Sequence, residues 1–167
     1  MKSFAPRAAS LCAIALFALA AAMPTAKPAR AQKHPPLAVV VGVAMKMTDI
    51  SLATLRAIFR GEHTTAPDGK RFVPVNAPLN SYERELFDRK VLGLAPGDVA
   101  QFWINRRIRD EGLPPRTLPT AELGVRVVAS YPGAIAYVSS SIVVPGVRVL
   151  KIDGKLPTEP GYLLAEP

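Results

Sequence analysis

Residues 37–43, LAVVVGV, form an uninterrupted apolar run of strand-forming residues. A strand with one wet face alternates apolar and polar side chains, so a run without alternation needs cover on both faces. Such a strand calls for a sheet with helices layered above and below it, and the following residues supply them. Ser51 stands as an N-cap before Leu52, Leu55, Ile58 and Phe59, which recur at helical spacing, and Gly61 follows as the stop. A turn at 66–70, APDGK, then leads into a short strand over 71–76.

The stretch from 77 to 93 passes through a polar loop into a helix with Leu86, Phe87 and Val91 on its inner face and Gly93 as its end. Pro96 suits the first turn of the next helix, where its missing N–H would be unpaired anyway. Along that helix Val99, Phe102, Trp103 and Arg106 share one stripe, which assigns Trp103 to the core. A Pro-broken loop at 112–119 precedes a last helix capped by Thr120 and carrying Leu123, Val127 and Val128. Two strands close the chain, AIAYV and VRVLKI, arranged either as a hairpin or along a shared edge. In the first of them Ile135 and Tyr137 face one way and Ala136 the other. The order β-α-β-α-α-α-β-β predicts an α/β layer with crossover connections and a central mixed sheet flanked by about four helices.

The chain opens on Lys2 and Arg7, an uncharged Ala- and Leu-rich run, and the small-x-small triplet Ala29-Arg30-Ala31, which is the order of a secretory signal peptide. The run is about fifteen residues, short of the ~20 that a membrane-spanning helix needs. Residues 1–31 are therefore expected to be removed, with cleavage after Ala22 as the rival, leaving 32–167 as one soluble domain, periplasmic or secreted. The single cysteine, Cys12, lies in the leader, so disulfide and thiolate chemistry are excluded from the mature chain. Four of the 21 lysines and arginines also lie there, which halves the formal net charge from +8 to +4. A mildly basic exported domain without aromatic residues interleaved among its arginines is not a nucleic-acid binder. The Pro-rich entry at 27–36 and the Pro- and Gly-rich tail after Asp153 are expected to be loosely ordered.

Three segments in order, SLATLRAIFRGE, VPVNAPLNSYERELF and YPGAIAYV, resemble the phosphate ABC transporter substrate-binding (PstS-like) family. The resemblance covers about one lobe of a type II periplasmic binding protein. It implies that lobe's α/β fold, inorganic phosphate or another oxyanion as ligand, and a membrane transporter as partner. Full-length relatives carry the loop order Arg-x-Asp-Gly-Ser-Gly-Thr at a helix start. Here Asn76 stands in the Arg position, Pro78 in the Asp position, and Leu79, Asn80, Ser81 and Tyr82 in the Gly, Ser, Gly and Thr positions. The ligand-binding candidates are thus Asn76, Asn80, Ser81 and Tyr82, joined by Arg84 in the first helical turn.

Physically, a helix start offers free amides and a partial positive charge to an oxyanion. The alternative for the same loop is structural, since Asn80 and Glu83 have the spacing of a capping box. In that case the fold would serve as a cell-envelope protein-interaction or accessory module. The basic run 105–110, NRRIRD, reads as a solvated helix end, with Arg106 and Arg109 on one face. Carboxylates such as Glu83 with Asp88, or Asp110 with Glu111, are expected in solvated surroundings. Only two histidines occur, His34 and His63, too few and too scattered for a metal cluster or a Ser-His-Asp set, so no catalysis and no cofactor are expected.

Overall fold

The computed structural model describes residues 34–62, 65–66 and 68–166. The leader and His63 lie outside them. The elements are β1 (Leu37–Gly42), β2 (Asp49–Ile50), α1 (Leu52–Phe59), β3 (Val73–Asn76), α2 (Tyr82–Phe87), α3 (Pro96–Ile108), β4 (Arg116–Thr117), α4 (Ala121–Ser130), β5 (Ala134–Ser139) and β6 (Val147–Ile152). A π-helical turn, Asp88–Leu92, continues α2, and a short 3-10 turn, Ser140–Ile142, follows β5.

The six strands form one sheet in the order β2-β6-β1-β5-β3-β4. The unbroken apolar run sits at its centre as β1, antiparallel to both β5 and β6. Its alternate side chains enter two separate cores. Leu37, Val39 and Val41 pack with Ile135 and Tyr137 of β5, Leu55, Ile58 and Phe59 of α1, and Leu86 and Phe87 of α2. Ala38 and Val40 pack on the other face with Ala134, Ala136 and Val138 under Val125 and Val128 of α4. The first core is aromatic at its middle: Phe87 stacks on Tyr137 at 3.7 Å between ring centres, and Phe59 meets Phe87 edge-on at 4.7 Å. The sequence thus yields a mixed α/β sheet with helices on both faces, as its periodicity predicts.

Two expectations are corrected. β5 and β6 neither form a hairpin nor share an edge, because β1 lies between them. The connection over 140–146 includes a helical turn and is long enough to step across that strand. The tail after Asp153 is not loose. Tyr162 is 3% exposed and Leu164 fully buried, and the Leu37 amide donates to the Leu164 carbonyl at 2.9 Å. Prolines and glycines in the tail shape a strap whose apolar side chains close the first core.

β3 is parallel to both β5 and β4. The entry to β5 demands glycine: Gly133 has φ +86°, and a Cβ there would lie 2.1 Å from the Arg71 carbonyl oxygen. The π-helical turn ends at Gly93, in the left-handed conformation, and its last carbonyls are held by α1. Arg56 Nε donates to the Val91 oxygen at 2.5 Å and Arg60 Nη2 to the Leu92 oxygen at 2.8 Å. Among the described residues no helix is long and apolar enough to cross a membrane.

Candidate functional site

A hollow of about 320 Å³ opens where the parallel strands β3 and β4 end, walled by the 77–81 loop with α2, by α3, and by the 114–117 segment. The carboxyl ends of parallel strands are where α/β sheets ordinarily hold ligands, because the loops diverge there. Asn76 and Thr117, the last residues of the two strands, lie on its floor. Asn80, Arg84, Glu85 and Asp88 supply the other polar side chains, while Leu79, Val99, Trp103 and Pro115 give an apolar wall.

Of the five sequence-predicted ligand residues, Asn76, Asn80 and Arg84 line this hollow, and Ser81 and Tyr82 do not. Ser81, rather than Asn80, is the N-cap of α2. Its hydroxyl accepts from the Arg84 amide at 3.2 Å and donates to the Pro78 carbonyl at 2.9 Å. The capping box from Asn80 to Glu83 therefore does not form, and Asn80 instead takes the turn position with φ 60°, a conformation that asparagine tolerates. Tyr82 stacks on His34 with 3.9 Å between ring centres. Burial first, and then the neighbouring Glu166 carboxylate, push its phenol pKa up. Asn76 is 5% exposed and is spent structurally: its amide donates to the Pro115 carbonyl at 3.4 Å and accepts from the Tyr137 hydroxyl at 3.2 Å.

Arg84 does not reach toward the helix start. It folds along its own helix to Asp88 one turn on, with Nε 2.7 Å from Oδ2. The two side chains are only 9% and 6% exposed. Asp88, expected in solvent, is a buried carboxylate; desolvation pushes its pKa up, against the opposing pull of the Arg84 hydrogen bond and charge. The pair is incompletely satisfied, since Nη1 of Arg84 and Oδ1 of Asp88 are both enclosed without a hydrogen-bond partner. Each such atom costs about 1–3 kcal/mol relative to a paired one.

Among the lining residues that the sequence does not point to, Asp88 and Trp103 matter most for the site. The first had a signal, the i, i+4 spacing to Arg84 on one helix. Trp103 is core as predicted, 8% exposed and edge-on to Phe102, but its remaining surface faces the hollow. Two arginines at the end of α3 are engaged elsewhere: Arg106 lies 3.7 Å from Glu62 and 3.8 Å from Glu111, and Nε of the C-cap residue Arg109 donates to Glu111 at 2.7 Å. Among the described residues no cluster of three or more His, Cys, Asp or Glu could hold a metal.

No family model matches the sequence, and no curated protein matches it. Solved structures do match in fold. An ABC-type phosphate transport receptor from Vibrio cholerae superposes with a TM-score of 0.60 at 18% identity, over 75% of this chain and 49% of that one. A putative phosphate ABC transporter substrate-binding protein with bound phosphate from Clostridium perfringens gives 0.63 at 20% identity, over 75% and 48%. PstS from Borrelia burgdorferi gives 0.61 at 16%, over 79% and 55%. The chain has the fold of phosphate ABC transporter substrate-binding proteins and spans about half their length, consistent with a single lobe.

Proposed function

We propose that this protein is a non-catalytic binding module working outside the cytoplasmic membrane, whose ligand places an anionic group beside Arg84. The observation that carries the reading is the enclosed, partnerless Nη1 of a guanidinium that lines a hollow at the carboxyl ends of parallel strands. Inorganic phosphate, the ligand named for the fold neighbours, is the reference anion, and a membrane transporter is the partner that reading brings with it. The anion meets a side chain, not the amides of a six-residue helix already capped by Ser81.

The test is calorimetric and thermal titration of the purified protein with phosphate, sulfate and small carboxylates. Ligand at a hundredfold over its dissociation constant adds about 2.7 kcal/mol of stability. Replacing the pair by apolar residues, Arg84→Met with Asp88→Leu, should abolish the response while keeping the fold. A response that persists in that variant would put the site elsewhere.

A second reading, a protein-interaction module, is favoured by one observation. Ile104 and Ile108 lie one turn apart on α3 and are 51% and 78% exposed, with Leu79 and Leu113 each 69% exposed. Concentration-dependent assembly in analytical ultracentrifugation, lost in Ile108→Lys, would support it; a strictly monomeric protein would not.

A further inference from the structure

Resting on the reading that Arg84 receives an anionic group, we infer that the ligand is zwitterionic: a small apolar α-amino acid, or a molecule of the same charge pattern, with its carboxylate on Arg84 and its ammonium on Asp88. The unpaired atoms come as a couple, one donor and one acceptor. Arg84 Nη1 and Asp88 Oδ1 are both enclosed and partnerless, and the Nε–Oδ2 contact at 2.7 Å holds the two groups side by side. A bare oxyanion would relieve the guanidinium and leave the carboxylate oxygen both unpaired and facing a like charge. A ligand carrying an acceptor and a donor close together would relieve both; since both atoms are enclosed, the pair has to turn toward the hollow that the two residues line for the ligand to reach them.

The charge of the lining points the same way. The lining carries one guanidinium, Arg84, and two carboxylates, Asp88 and the exposed Glu85. Phosphate at neutral pH carries between one and two negative charges and meets more repulsion than attraction there. A zwitterion brings its own cation to the carboxylates. The remaining wall, Leu79, Val99, Trp103 and Pro115, has nothing to offer an inorganic ion but suits a hydrocarbon side chain, and about 320 Å³ lies at the lower end of the range of small-molecule sites.

The experiment is calorimetric titration of the purified protein with L-alanine, L-leucine, L-phenylalanine, isocaproate, isoamylamine and inorganic phosphate. The expected result is that at least one amino acid binds, and that isocaproate, isoamylamine and phosphate each bind at least about tenfold more weakly. Asp88→Asn should weaken the amino acid and spare isocaproate. Because a buried substitution can compromise folding, Glu85→Gln at the exposed rim is the second variant, with the same selectivity at smaller amplitude. Isocaproate or phosphate binding as tightly as the amino acids overturns the zwitterion and leaves the Arg84 reading standing. No binding by any of the six overturns both.

Discussion

Two arginine-carboxylate pairs in this molecule share a bond length and little else. Arg84 with Asp88 and Arg109 with Glu111 both meet at 2.7 Å, yet the first pair is 9% and 6% exposed and the second 57% and 40%. On the surface the hydrogen bond from Arg109 dominates and holds Glu111 below the usual carboxylate range. Inside, desolvation outweighs the same kind of bond and pushes Asp88 up. An ion pair in water is close to neutral for stability, whereas a buried one is a liability that only complete hydrogen bonding offsets. The surface pair is bidentate, with a second contact of 3.0 Å from Arg109 Nη2 to Glu111 Oε2, while the buried pair leaves an atom on each side without a partner. In the proposed reading those two atoms are the ones a ligand would satisfy.

The largest effect expected from breaking this contrast is that of Asp88→Ala, which strands the guanidinium and should cost about 3–5 kcal/mol in urea or thermal unfolding. Next, replacing both partners, Arg84→Met with Asp88→Leu, should recover that loss or go beyond wild type by about 1–4 kcal/mol, because the desolvation penalty disappears with the charges. A double variant as unstable as Asp88→Ala would mean that the pair is structural after all. The pH dependence is a finer probe. Since the native state holds the Asp88 proton more tightly than the unfolded chain, its favourable contribution is full below the unfolded value of about 3.9 and fades as pH rises through the raised native value. Melting curves of wild type and the double variant from acid to neutral pH should show wild type losing ground over that window; a constant gap would contradict the burial argument. The smallest effect belongs to the surface: Glu111→Gln should leave the melting temperature within ordinary reproducibility, with any difference vanishing at high salt.

The sequence discloses the fold wherever the signal is local. The unalternated run at β1, the caps at Ser51 and Thr120, and the opposed faces of Ile135 and Ala136 all follow from a few neighbouring residues. Partner choice among strands is non-local, and Pro145-Gly146 looks like a hairpin turn until β1 is seen to occupy the place between β5 and β6. The start of α2 fails for a subtler reason. Asn80 and Ser81 are both good caps, and the left-handed backbone at Asn80 hands the role to its neighbour. The i, i+4 spacing of Arg84 and Asp88 is written in the chain. Their burial is not, because Trp103 and Pro115, which help wall the hollow beside them, come from an element and a loop further along.

The bond between the Leu37 amide and the Leu164 carbonyl makes the entry to the central strand and the closing strap next-door neighbours. In a chain cut back to residues 34–166, a linker of only a few residues could therefore join the two, and reopening at an exposed loop would give a circular permutant with the same sheet. By the same proximity, a protease that pares back the strap would uncover the rim of β1 and loosen the segment that leads into it.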